Sequence, residues 1–165
     1  MNPSTVVHLD EGASMVMEVT QISGIDDTLR QTRADLAAGA SLVVKEKIMT
    51  TGEQHANTDF AVEMNGDGAS ADVCSRSVAK DRSTQHFKSM LAGNAACKGH
   101  TACDAIIMDG GTVFAEPGLA ANSVEASLIH EAAIGKIAGE QLIKLMTLGL
   151  DEAEAEAQIV NGFLS

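Results

Sequence analysis

The chain has 165 residues, is 45% hydrophobic and carries a net charge of -12, which fits one domain, or one domain with a small appendage, built around a real core. The charge repels a phosphate backbone, and four Phe with no Trp or Tyr leave little surface on which bases could stack, so nucleic acid is excluded as a partner. No run of about 18 apolar residues occurs, and the amino-terminal MNPSTVVHLDEG has neither a basic region nor an apolar signal core, so the expectation is a soluble, cytoplasmic protein with no membrane partner. Cys74, Cys97 and Cys103 are odd in number, which argues for free thiols over a secreted disulfide framework.

In chain order, the first elements are short β-like runs punctuated by glycine: ASMVMEVTQI, ASLVVKEKIMT, TDFAVEM, ADVCSRSV and CDAIIMDGGTVFAE. Small-residue turns recur among them. GAS begins at Gly12, Gly39 and Gly68, and a degenerate GNA begins at Gly93, so the steps are 27, 29 and 25 residues by subtraction. That period suits a flattened β-solenoid with two strands per coil, each coil burying its face on the next. An antiparallel sandwich with coincidental glycines fits the repeat as well.

After Ala132 the spacing becomes helical, with Ile137, Leu142, Leu145 and Met146 on one stretch and Ala153, Ala157 and Val160 on the next. Gly149 is placed to end the first helix, and Asp151 with Glu154 reads as a capping box opening the second. The expected organisation is a β core over residues 1–133 and a helical pair over 134–165. A helix-turn-helix DNA reader shares this outline, but Asp151, Glu152, Glu154 and Glu156 would meet phosphates.

Residues with chemical potential lie just before the helices. CKGHTACD places Cys97, His100 and Cys103 three apart. On a helix all three stack on one side; in a strand the thiols share a face and His100 takes the other. Sulfur and imidazole suit iron–sulfur chemistry or zinc, although no CxxC pair is present and a closed zinc site needs a further ligand. Cys74 has no soft neighbour in sequence and reads as packing, and His8, His55 and His86 read as surface or turn residues. His130 and Glu131 stand side by side in an apolar stretch. On a helix they point about 100° apart and in a strand to opposite faces, so in either case one site receives only one of them.

The segments GHTACDAIIM, AEPGL and ASLIHEAAIGKIAGEQLIKLMTLGLDEAEAEAQIVNGF resemble the carboxy-terminal half of the SufB/SufD scaffold proteins of the Suf iron–sulfur assembly system, and are most similar to the compact SufB-like proteins of anaerobes. Ala126 to Phe163 carries most of the likeness. The resemblance implies a mainly β fold, a right-handed parallel β-helix followed by a short helical region. It implies a non-enzymatic scaffold that works with a SufC-type ATPase and pairs with a SufB/SufD-type subunit, or with itself as a homodimer. Such a scaffold builds a transient iron–sulfur cluster where two β-helices meet.

By the same resemblance Cys103, in a CD dipeptide, matches the sulfur acceptor, and His130 and Glu131 match a ligand or proton-relay pair beside it. SufB reads Glu-His-Glu there, and Ile129 replaces the first acid. Cys97 and His100 are added as iron-binding candidates from spacing, and Ala153, Ala157 and Val160 as the stripe that meets SufC. The missing acid keeps a second reading open, a SufB/SufD-like partner that assembles but builds no cluster. An acyltransferase using His130 would need the hexapeptide repeat of left-handed solenoids, which is not found. Members of the family usually begin with a longer region and continue past GFLS, so the chain matches their later part, as a short paralogue or a piece of a longer protein. Open solenoid ends predict self-association through strands near residues 100–125.

Overall fold

The structure is a computed structural model describing residues 1–22 and 24–165. In chain order its strands are β1 (Ser4–Leu9), β2 (Ser14–Gln21), β3 (Asp27–Leu36), β4 (Ser41–Thr50), β5 (His55–Met64), β6 (Ser70–Ala79), β7 (Thr84–Gly93), β8 (Lys98–Ile107), β9 (Thr112–Ala121) and β10 (Ser127–Gly135). Helices α1 (Gly139–Met146) and α2 (Glu152–Leu164) follow. Odd strands form one five-stranded sheet in the order β1-β3-β5-β7-β9, and even strands form the other, β10-β8-β6-β4-β2. All pairing is parallel. Each coil therefore gives one strand to each sheet, and five coils make a flattened β-solenoid, not an antiparallel sandwich.

Register fixes the coil length. Ser14 pairs with Ser41, Ser41 with Ser70, Ser70 with Lys98 and Lys98 with Ser127, so equivalent residues recur every 27 to 29 positions. Gly12, Gly39 and Gly68 occupy one corner of successive coils with φ of 68°, 66° and 75°, a left-handed conformation that favours glycine. Their backbones stack, Gly12 N–H donating to the Ala38 carbonyl at 2.9 Å and Gly39 N–H to that of Asp67 at 2.9 Å. The fourth member of this corner is Ala96, whose carbonyl accepts from Gly68 N–H at 2.7 Å, and not Gly93. Gly93 ends β7 in the opposite sheet. It is glycine for want of room, because a Cβ there would lie 2.7 Å from the Ala126 Cβ and 2.9 Å from the Cys97 sulfur.

Between the sheets lie Leu36, Val44, Phe60, Val62, Met64, Val73 and Leu91, all buried. Burying aliphatic side chains of this size is worth roughly 1.5–3 kcal/mol each. The interior also holds polar groups, several of them paired, although the Thr28 and Thr32 hydroxyls of β3 are buried without a hydrogen-bond partner. Glu46 accepts from Thr58 Oγ1 at 2.8 Å and Ser75 Oγ at 2.7 Å, and meets Arg30 at 3.4 Å. Thr50 Oγ1 donates to Ser83 at 2.8 Å and accepts from Gln85 at 2.9 Å. Buried hydroxyls and amides satisfied in this way let a sequence poor in large apolar residues close a narrow interior.

The capping box forms: the Asp151 side chain accepts from Glu154 N–H at 2.8 Å, and Glu154 accepts from Asp151 N–H at 2.9 Å. Gly149, with φ of 100°, separates the helices. Helix α2 lies against the even-strand sheet, where Val160 packs with Val78 and Met108 and near Met49 and Ile106. Among the described residues no helix is long and apolar enough to cross a membrane. Strand β8 is paired on both edges, by β6 and β10, so within the segment expected to mediate self-association only β9 has a free edge.

Candidate functional site

Strands β8 and β10 are the last two of the even-strand sheet, and their pairing decides how the predicted residues meet. Thr101 pairs with His130, Ala102 with Glu131 and Cys103 with Ala132. Cys103 is fully buried and belongs to the core. Alternation then turns Thr101 and Cys103 inward on β8 and His100 and Asp104 outward. His130 shares the inward row with Thr101, and its Nδ1 is buried with no hydrogen-bond partner. Glu131, its neighbour, is exposed on the outer face.

The predicted cluster is thus divided by the sheet. Inside, Cys103 and His130 occupy neighbouring strands one diagonal step apart, about 8 Å between Cα atoms from strand spacing and rise. Outside, His100 stands between two carboxylates, its Nδ1 2.8 Å from Asp72 Oδ1 and its Nε2 3.7 Å from Glu131 Oε2. Cys97 is buried in the core at the start of β8, but six strand positions separate it from Cys103, roughly 20 Å. Those two thiols cannot share one iron. Among the described residues no three His, Cys, Asp or Glu side chains converge on a common metal position.

Electrostatics keep the inner thiol neutral. The Cys103 thiol is pushed up to about 12, first by burial and then by the Glu46 and Asp104 carboxylates. The Glu46 carboxyl is itself raised by burial, against the lowering hydrogen bonds from Ser75 and Thr58 and the Arg30 charge. Ser75, which donates to Glu46, is the register partner of Cys103 on β6. Cys74 lies on the outer face, half-buried, in a cavity of about 510 Å³ with Lys45, Asp72 and Arg76. Its thiol is raised by burial and by Asp104.

Beyond β10 the interior opens. Leu119 of β9 and Ile134 of β10 are 42% and 38% exposed, although they pair with the buried Leu91 and Ala105. Among the described residues no further coil covers them. On the helices, Ala153 and Ala157 are exposed beside a shallow cavity floored by Met49 and Met108. Val160, read from sequence as part of the same docking stripe, is instead buried against the solenoid, 7% exposed. Spacing alone did not separate the face of α2 that meets its own sheet from the face left free.

Asp72, Glu46 and Ser75 were not picked out from sequence. Asp72 is one coil, 28 residues, before His100, a relation that becomes readable only once the coil length is known.

Five parallel coils followed by a helical pair that packs on the even-strand sheet, with Cys103 and His130 facing inward near the open end, define a parallel β-solenoid, and comparison with known proteins identifies its family. Residues 3–163 match the family model described as SUF system FeS cluster assembly, SufBD core domain. An iron-sulfur cluster assembly SufBD family protein of Methanothermobacter thermautotrophicus is 32% identical over 169 aligned positions, covering 100% of this chain and 41% of the relative. One from Methanocaldococcus jannaschii is 31% identical, covering 99% of this chain and 52% of the relative, and one from Pyrococcus horikoshii is 40% identical over 105 positions, covering 62% and 24%. The chain belongs to the SufB/SufD family of iron–sulfur cluster assembly proteins, and it spans about half or less of the length of these relatives.

Proposed function

We propose that the chain is a non-enzymatic scaffold component of iron–sulfur cluster assembly, acting in the cytoplasm with a SufC-type ATPase and with a second SufB/SufD-type subunit or a second copy of itself. Cys103 is the sulfur acceptor and His130 its neighbour at the subunit junction. The observation that carries this reading is the inward placement of Cys103 and His130 one diagonal step apart on the last two coils, at the end of the solenoid left open. The cluster is cargo, held transiently and passed on.

The resting chain is not yet reactive. A thiol near 12 is almost wholly protonated at neutral pH, and only the thiolate attacks sulfur. Acceptance therefore requires the closing coil, β9 with β10, to shift so that water, a cation or a partner residue reaches Cys103. The thiolate then attacks the terminal sulfur of a donor persulfide. A new S–S bond forms on Cys103, the donor's S–S bond breaks, and the donor leaves as a thiolate, with no net oxidation. His130 Nδ1, which has no partner at rest, is suited to take the proton released.

Anaerobic incubation with a persulfide donor and the SufC-type ATPase, followed by peptide mass spectrometry, tests this. The expected result is one added sulfur atom on the peptide carrying Cys103, absent in Cys103→Ser. Sulfur appearing only on Cys74, or on none of the thiols, favours the second reading, a partner subunit that assembles but builds no cluster. Ile129 in the place of the first acid and the seal over Cys103 are what support that alternative.

A further inference from the structure

Three histidines pair with carboxylates across neighbouring coils, and one pairing differs from the others. His8 Nδ1 lies 3.0 Å from Asp35, and His86 Nε2 lies 2.8 Å from Glu116. In each of these one ring nitrogen meets one carboxylate. At His100 the hydrogen bond goes to Asp72 through Nδ1, at 2.8 Å, and the other ring nitrogen faces Glu131 Oε2 at 3.7 Å. That second gap is too long for a hydrogen bond. It is close to the spacing of about 3.4 Å expected between two ligands each roughly 2.1 Å from one tetrahedral metal, a difference that small rotations of exposed side chains remove. Among the described residues neither carboxylate is paired with a lysine or arginine.

We propose that His100 Nε2 and the Glu131 carboxylate form a two-ligand site for a divalent first-row cation on the outer face of the even-strand sheet. Asp72 acts as a positioning residue, and water fills the remaining positions. Asp72 accepts the Nδ1 proton and so leaves Nε2 as the lone-pair nitrogen aimed at the metal, the arrangement by which a carboxylate orients a metal-binding histidine. Nitrogen and oxygen donors without thiolate suit ferrous iron, cobalt or zinc and do not suit cuprous ions. The site stands on the opposite face of the sheet from Cys103. Resting on the assembly reading for its purpose, it makes the outer face a reception point for iron, separate from the inner thiol that receives sulfur. The binding itself does not depend on that reading.

Cobalt(II) titrated into the full chain without oxygen, followed by visible absorption and calorimetry, tests the proposal. One equivalent is expected to bind with weak d–d bands and no thiolate charge-transfer band. His100→Ala and Glu131→Gln each weaken binding at least tenfold. Asp72→Asn weakens it by roughly 10- to 100-fold, as loss of an orienting partner does. Cys103→Ser and His86→Ala bind like the parent. Equal affinity in the parent and His100→Ala overturns the proposal, as does loss of binding in His86→Ala or a thiolate band that vanishes in Cys103→Ser. His100→Gln approximates the imidazole's size and can donate from its amide to Asp72 while removing the imidazole lone pair, so its unfolding midpoint checks that any loss is not a folding defect. A chain that passes here yet takes no sulfur on Cys103 retains the cation site and loses the cluster-building role.

Discussion

Cys74 and Cys103 lie on adjacent regions of one sheet, yet alternation places the first outside and the second inside. Their reactivity follows from that. Native protein treated with a maleimide at pH 8 is expected to modify Cys74 first and to leave Cys97 and Cys103 untouched until denaturant is added. A pKa near 12 corresponds to a thiolate fraction on the order of one in ten thousand at that pH. Rapid native modification of Cys103 would show that the coil above it is already open.

The same burial sets a pH dependence. An unfolded thiol titrates near 9.0, and folded Cys103 holds its proton to about 12. Between those values the unfolded state binds fewer protons, so stability falls as pH rises. Cys103→Ala is expected to flatten that alkaline slope, read from unfolding midpoints between pH 8 and 11. Glu46 gives a second residue-scale test. Glu46→Ala leaves Arg30 without its buried partner and the Thr58 and Ser75 hydroxyls unpaired, an expected cost of roughly 3–5 kcal/mol in denaturant unfolding. Glu46→Gln, which can still accept two hydrogen bonds, is expected to cost less.

Among the elements, legibility followed the aliphatic content of the inward row. Strands β2, β4 and β5 carry Met, Val, Leu, Ile or Phe on the inward row between more polar outward residues and stand out in sequence. Strands β3 and β7 do not, because their inward positions include the polar Thr28, Thr32, Gln85 and Ser89, which break the apolar alternation that marks a strand in sequence. The run CDAIIMDGGTVFAE reads as one strand but is divided by the turn at Met108–Gly111 into the end of β8 and the start of β9. The capping box at Asp151 was readable because it is local. Asp151→Ala is expected to cost about 1 kcal/mol, seen as faster amide exchange through α2. Gly66 is a harder constraint. A Cβ there would collide with the backbone of Ala37 and Ala38 in the coil below, so Gly66→Ala is expected to destabilise by roughly 3 kcal/mol, since neighbouring coils cannot move apart without losing their ladder.

At the scale of the whole molecule, the division of His130 from Glu131 follows from period two alone, and the sequence was sufficient for it. What lay beyond reach was which residue from another coil each would meet, because a neighbour one coil away is 28 or 29 positions distant. The free edges of β9 and β10 and the exposed Leu119 and Ile134 form an unpaired, apolar end. Leu119→Lys with Ile134→Lys is expected to abolish self-association in sedimentation at micromolar concentration while leaving the β-solenoid's circular dichroism intact. A parent chain that sediments as a monomer would remove that end as a junction between identical subunits.

The central claim is that Cys103, at this end, anchors a nascent cluster, and reconstitution tests it most directly. The chain is mixed anaerobically with ferrous iron, sulfide and the SufC-type ATPase, and absorption is recorded for the parent, Cys103→Ser and Cys74→Ser. The account predicts sulfur-to-iron charge-transfer bands in the parent and Cys74→Ser, with none in Cys103→Ser, because a serine hydroxyl is a far poorer ligand for iron than a thiolate. Bands of equal strength in all three proteins, or none in the parent, would contradict it.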